Sequence, residues 1–368
     1  MLEEHRCSRR CGGVDTARSH RHAAQRPSTA GSFCIWETLD GGILLYLGNT
    51  MTISSFLPGD QPLTGVQRLE YERSIVTPHA TRFGWRSIFN ALWPLAAWAT
   101  VVYLTSAGRL PLVAGVLLSA ISLQALYMPV HEAVHRTISA GRPRLVWIDR
   151  LIGSVCAFML STSFVDHRHG HILHHTHAND DGDPDVLNSK GGPKVIAGRI
   201  VVGALLYPVL PILRVVPGGL RLLPAGVRER LASMTSFRSP EAQRGATLVA
   251  WSHIVLLVAA SLLGYAVEAW LLFYLPVWLG RFWLSVVFGW LPHHPHVEVG
   301  RYRDTRVFTF FASTFLIRGH DYHLLHHLFP RVPHYRLRSV WREIGPHLAA
   351  QGARIEGKAA RELGIAPQ

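Results

Sequence analysis

Four apolar stretches constrain this chain more than any other feature: residues 89–106, 111–130, 246–264 and 270–291. Each approaches the roughly 20 residues that a helix needs to cross a hydrocarbon core. They come in two pairs. Ala107-Gly108-Arg109-Leu110 joins the first pair and residues 265–269 the second, and connections this short leave room only for antiparallel neighbours. The expected fold class is therefore all-α integral membrane, with two transmembrane helical hairpins making four spans.

Composition agrees with a bilayer setting, since 48% of the 368 residues are hydrophobic and only 17% charged. The formal net charge of +13 could in principle serve nucleic acid, anionic headgroups or the cytoplasmic flanks of spans. Its placement decides. The two short turns carry only Arg109 and Glu268, while nearly all other basic residues lie in the three remaining segments. The positive-inside rule then puts both termini and the long central segment in the cytoplasm, and no nucleic-acid partner is needed.

Two further apolar segments, 146–164 and 195–216, are expected to lie on or dip into the cytoplasmic leaflet. If either alone crossed the membrane, the histidine clusters described below would fall on opposite faces. The second also contains Pro208, Pro211, Arg199 and Arg214, which suit an interfacial or re-entrant helix. A six-span arrangement is the alternative.

Residues 1–50 read as a separate, disordered or over-extended N-terminal segment, with Met51 opening the domain that runs to residue 368. The segment is polar, Arg-rich and without helical or strand period. Cys7, Cys11, His20 and His22 fit no standard zinc-finger spacing, and the apolar run 43–47 is shorter than an export signal requires. Only four cysteines occur, three of them in the first 34 residues, so no disulfide framework is expected and a reducing-side protein is implied.

Three histidine clusters carry the chemistry: His131-Glu-Ala-Val-His135, His171-Ile-Leu-His174-His175 and His323-Leu-Leu-His326-His327. Residues three and four apart are neighbours on a helix surface, so each cluster projects imidazoles from one face. At this composition His-x-x-His-His should arise by chance about 0.08 times in the chain, counting template matches. It occurs twice. His131 directly follows the second span and His293 the fourth, so the topology brings all three clusters to one face of the membrane.

Neutral imidazole suits iron, zinc and copper, and eight or nine imidazoles are too many for one ion. Two metals sharing the set is the economical reading. The lone histidines His79, His253, His334 and His347 are read as ordinary structural or headgroup contacts, and so in part are His167, His169, His177, His294, His296 and His320. A rival must be weighed, because His131-Glu132-Ala-Val-His135 is also the His-Glu-x-x-His pattern of zinc metalloproteases, with Glu132 as general base. An intramembrane protease needs one further ligand, and it leaves both His-x-x-His-His clusters unexplained. In the preferred reading Glu132 instead fixes the orientation of an imidazole.

The boxes HEAVH, HILHH and HLLHH, in this order and on this topology, resemble the membrane fatty acid desaturase superfamily. The stretches HHTHANDDGDPD, FGWLPHHP, RDTRVF and GHDYHLLHHLFPRVPHYR look like its carotenoid branch, especially cyanobacterial-type β-carotene hydroxylases. The resemblance runs over about residues 71–346. It implies a cytoplasmic helical cap with a di-iron centre held by His131, His135, His171, His174, His175, His293, His323, His326 and His327. It also implies O2 as co-substrate and a separate electron donor such as ferredoxin, since no donor domain is fused here. The substrate is expected to be a lipid: a carotenoid ring to be hydroxylated, or an acyl chain to be desaturated or hydroxylated. Glu132-Ala-Val departs from the Asp-containing first box of carotenoid enzymes and leaves that choice open. Three Lys among 37 basic residues match a GC-rich bacterial coding bias, hence an inner-membrane location.

Overall fold

A computed structural model of the protein describes residues 35–37, 43–45, 64–186, 190–206, 210, 213 and 216–365. In the N-terminal unit, β1 (Ile35–Glu37) pairs antiparallel with β2 (Ile43–Leu45). The expectations for Cys7, Cys11, His20, His22 and Met51, and for Pro208, Pro211 and Arg214, lie outside the described residues.

The second unit begins with α1 (Gly65–Ala80). Thr64 starts it through a capping box with Gln67, which satisfies two backbone donors that the first turn would otherwise leave orphaned. Four longer helices follow the predicted apolar stretches: α2 (Trp85–Ser106), α3 (Leu112–Val134), and, later in the chain, Pro240–Leu262 and Ala266–Trp290. All four are long and apolar enough to cross a membrane. The first starts four residues before the expected Phe89, and the third six before Ala246. Both extensions are polar at their ends, so hydropathy alone does not reveal them.

Between the second and third of these lie α4 (Val146–Met159), α5 (Phe164–His177), α6 (Pro193–Leu206) and α7 (Ala225–Ser236). At 14 residues each, α4, α5 and α6 reach about 21 Å by the helical rise, short of the ~30 Å hydrocarbon core. The pair Pro143–Met159 and Phe164–His177 passes the length test only jointly, and it is bent by 102° at the break. Asp166, in the first turn of α5, is gripped by Arg238 through two contacts of 2.7 Å. That ion pair fixes the start of α5 to the start of α8 (Pro240–Leu262), whose Ser239 N-cap accepts from Ala242 N.

The fourth long helix, α9 (Ala266–Trp290), and α2 both pack on α3, and they meet each other where Trp98 Nε1 donates to Leu272 O at 2.8 Å. Leu123, Leu126, Val130, Ala157 and Val277 form the core between these helices and α4. Outward, Leu92, Leu117, Ile121, Leu248, Val255 and Leu262 are exposed. Apolar area on this scale is a liability in water and is what lipid tails accept. Two π-turns interrupt α9, at Trp270–Tyr274 and Ser285–Trp290.

Beyond α9, α10 (His323–Leu328) and α11 (His334–Ala350) build a second core from Leu324, Leu325, Leu337, Val340, Ile344 and Leu348. A parallel pair, β3 (Val307–Thr309) with β4 (Ile355–Gly357), closes it. Buried Glu72 of α1 ties this region together, accepting from Arg301 and Tyr302 at 2.5 Å and lying 3.3 Å from His347 Nε2. The chain is thus a mostly helical, multi-pass membrane protein whose histidine boxes sit at the ends of α3, along α5 and along α10.

Candidate metal centre

The repeated box spacing has a geometric consequence. With 100° per residue, positions i and i+4 of a helix lie 40° apart, while i+3 falls 60° to the other side of i. A His-x-x-His-His box must therefore split two and one. In α5, His171 and His175 face one group and His174 the other; in α10, His323 and His327 face the second group and His326 the first. The two boxes interlock with opposite parity.

The first group joins His131, His135, His171 and His326, all buried, with ligand atoms within 4.8 Å of one another. His175 belongs to it by contact, its Nε2 lying 3.1 Å from that of His171 and 2.9 Å from that of His326. The second group joins His174, His293, His323 and His327 within the same limit. All nine predicted histidines are brought together, although they come from helices separated by most of the chain.

The contacts inside the first group cannot all be hydrogen bonds. Nε2 atoms run His131–His326 at 2.9 Å, His326–His175 at 2.9 Å, His175–His171 at 3.1 Å and His171–His135 at 2.9 Å. Each such nitrogen carries either one N–H or one lone pair, so a run of four contacts through five nitrogens holds at most two donor–acceptor pairs. The remaining lone pairs converge without a proton between them. A cation resolves this. At a metal–nitrogen distance of about 2.0–2.1 Å, ligands at right angles stand about 3 Å apart, the spacing found.

Electrostatics point the same way. Burial, reinforced by neighbouring imidazoles, holds the rings of His135, His171, His175, His293, His323, His326 and His327 well below the ordinary histidine value. They are neutral, which is the ligating form. His131 Nδ1, His293 Nδ1, His323 Nδ1 and both nitrogens of His327 are buried without a partner among the described residues. So the donor set fits an ion that accepts several imidazoles, as iron, zinc and copper do.

His174 differs. Burial opposes its charged form, but the hydrogen bond to Asp183 and the charges of Asp185, Asp183 and Asp304 outweigh it and raise its pKa. Both Asp183 carboxylate oxygens lie 3.0 Å from His174 Nδ1, which leaves Nε2 aimed at His293 Nε2, 3.1 Å away. Asp183 is itself held by the backbone N–H groups of Asn179 and Asp185. Such a carboxylate fixes the tautomer and raises the basicity of a ligand.

Glu132 needs a correction. It was expected to orient a box imidazole, but its Oε1 accepts from His334 N at 2.9 Å and lies 3.0 Å from His334 Nδ1. Its Oε2 accepts from Ser87 and Thr137. The residue stands about 100° round the helix from His131, is engaged by Ser87, Thr137 and His334, and staples α2 and the start of α11 to α3. A general base aimed at metal-bound water is not what this carboxylate offers, and the protease reading loses its distinguishing residue.

The lone histidines mostly behave as ordinary structural groups. His79 meets Glu343, His347 meets Glu72 and His334 meets Glu132. His253 lies 3.1 Å from Phe158 O and 3.4 Å from Tyr274 Oη, its ring stacked on Phe158. Arg281 donates to Leu160 O and Ser161 O at 2.9 and 3.1 Å, satisfying carbonyls left open at the end of α4.

Sequence reasoning missed Asp183 and Asn179. The Asn179 amide donates to Glu298 O and Asp304 O at 2.7 and 2.6 Å and meets His296 Nδ1 at 3.2 Å. It thereby ties the turn after α5 to the segment carrying His293. The Asn-Asp-Asp-Gly-Asp-Pro-Asp run was visible, but the turn that aims it back at α5 was not.

A cavity of about 470 Å3 runs between α9, α6 and the end of α4, lined by Val130, Ile196, Ile200, Trp278, Phe282 and Leu284 among others. Tyr127 and Phe288 form part of its wall, with ring centroids 4.9 Å apart. Behind them, Tyr127 lies 6.0 Å from the His131 ring and Phe288 lies 4.3 Å from that of His320. A mostly apolar slot, with Asp185, Arg199 and Arg281 also in its lining, therefore adjoins the histidine cluster.

A helical membrane protein with buried all-histidine groups of this kind is a candidate metalloenzyme acting on lipid. The sequence model of the fatty acid desaturase family matches residues 107–358, and the chain belongs to that family. A comparison with curated proteins finds no match.

Proposed function

We propose that this protein holds two iron ions and oxidises a C–H bond of a lipid with O2, drawing electrons from a separate donor such as ferredoxin. His131, His135, His171, His175 and His326 would hold one ion, and His174, His293, His323 and His327 the other. The observation that carries the reading is the split of both His-x-x-His-His boxes into two all-imidazole groups beside an apolar cavity. Iron with O2 supplies the oxidant that an unactivated C–H bond demands, since such a bond offers no leaving group or acidic proton.

The chain's own residues then have three tasks. The imidazoles other than His174 stay neutral by burial; Asp183 holds His174 in the tautomer that presents Nε2; and the walls of the cavity keep water from the reacting carbon. The position of that carbon relative to the irons decides between an alcohol and an alkene.

For the substrate we propose a carotenoid ring and the activity of a hydroxylase, in line with the family text around the boxes. The Glu132-Ala-Val interior of the first box favours a second reading, acyl-lipid desaturation or hydroxylation. We place the centre on the cytoplasmic face of a bacterial inner membrane, with α2–α3 and α8–α9 as two hairpins. Expression in a bacterial host that accumulates β-carotene, followed by product analysis, tests the substrate. Hydroxylated carotenoid is the expected product; unchanged carotenoid with altered membrane acyl chains selects the second reading.

A further inference from the structure

His320 lies outside the three boxes, yet its surroundings are those of the metal centre. It is 2% exposed. Its ring centroid is 4.9 Å from that of His131 in the first group and 4.9 Å from that of His323 in the second, with His326 at 5.8 Å. On its far side it packs edge-on against Phe288 at 4.3 Å, the residue that also lines the cavity.

One nitrogen of the ring has no hydrogen-bonding compensation. Nδ1 is buried with no partner among the described residues. Leaving a buried polar group unmade is costly, and an apolar ring of the same shape would avoid the cost. The local chain puts it there deliberately: Gly319, at φ +84°, opens a 3-10 turn over His320–Tyr322 that runs straight into α10. A Cβ on Gly319 would lie 2.8 Å from His334 O, so both the backbone sign and the space reserve this position for glycine.

We propose that His320 is a tenth imidazole of the metal centre, seated between the two groups and supplying a ring nitrogen to the metal pair. The inference rests on the two-iron reading above. It extends the ligand set beyond the boxes and makes Phe288 the contact through which the substrate cavity touches a ligand.

The test compares His320→Phe and His320→Gln with the unaltered protein, each purified in detergent, stripped with chelator and reloaded with ferrous iron. Iron per chain, the Mössbauer spectrum and the iron-dependent rise in melting temperature are measured together. A merely structural ring with unmade hydrogen bonds should tolerate Phe, so the metal-free variant should melt no lower than the metal-free parent. A ligand should not be replaceable: the spectrum changes, and iron affinity falls about 10-fold or more, shrinking the iron-dependent rise. Two variants with the parent's spectrum and the parent's iron-dependent rise would overturn the proposal, even if their metal-free forms were less stable. Should the parent itself take up no iron pair, the two-iron reading fails rather than the place of His320 within it.

Discussion

Asp183 grips His174 symmetrically, with both carboxylate oxygens 3.0 Å from the imidazole Nδ1. The pair is nine residues apart and both partners are buried. This is the contact that distinguishes His174 from the other ligating candidates, whose Nδ1 atoms have no carboxylate at such a distance. Replacing Asp183 by Asn removes the charge but keeps the shape. Losing such a partner typically weakens metal binding 10–100-fold, so Asp183→Asn is expected to lose iron at chelator concentrations the parent withstands, at equal abundance in the membrane. Equal retention would reduce Asp183 to a turn-former.

His326→Ala and His253→Ala form a paired prediction. His326 Nε2 meets both His131 and His175 at 2.9 Å, so its loss removes the hub of the first group and is expected to abolish turnover and lower bound iron. His253 contacts no box histidine; it meets Phe158 O and the Phe158 ring. Its replacement should cost stability, about 1 kcal/mol for the lost hydrogen bond together with the lost packing, with iron per chain unchanged. Iron analysis and melting of the two purified variants check both halves.

Glu132→Gln separates the oxidase from the protease. Because the carboxylate serves Ser87, Thr137 and His334, the change should destabilise by about 1.5–3 kcal/mol, the range for hydrogen bonds to a charged group, while residual folded protein keeps its iron and its oxidation per iron. A stable, iron-replete but inactive variant would mean that Glu132 takes part in the chemistry after all.

Arg281→Leu strips the donors from Leu160 O and Ser161 O and leaves those carbonyls open at the bend between α4 and α5. The expected outcome is a several-fold drop in membrane abundance, read by immunoblot against the parent. Unaltered abundance and activity would show that other groups satisfy the bend.

Labelling addresses the topology. Asp181, Arg342 and Arg109 are exposed, so each can carry a cysteine in a background lacking the native ones. With two hairpins, a membrane-impermeant maleimide added to intact cells should reach position 109 and neither of the others. Labelling at one of positions 181 and 342 but not the other would break the arrangement.

The legible part of the fold is the part encoded locally. Span length and apolarity predict α2, α3, α8 and α9 to within two turns, and the i, i+3, i+4 spacing predicts which imidazoles share a helix face. What could not be read is long-range. Glu132 sits inside a box, yet its partner His334 lies 202 residues away, and no local pattern indicates which way a buried carboxylate turns. Asn179, in the left-handed region at φ +66°, joins segments 119 and 125 residues distant. His320 was passed over because three-residue spacing to His323 does not by itself distinguish a ligand from a packing ring.

The π-turn that ends α9 has a consequence for the chain's reading frame of side chains. Leu291 N donates to Val286 O at 2.8 Å, five residues back instead of four, so one residue more than an α-helix needs is looped into the last turn before His293. Excising a single residue from 285–290 would let the turn relax to α geometry with Leu291 still bonded to Val286, so everything beyond it would keep its place. The same excision from the regular α-helical turns at Leu275–Leu284 has no surplus residue to absorb it and would swing everything beyond by about 100°, taking His293 out of the second group without any histidine having been mutated. A one-codon deletion should therefore be tolerated in the π-turn and silence the centre in the α-helical turns before it.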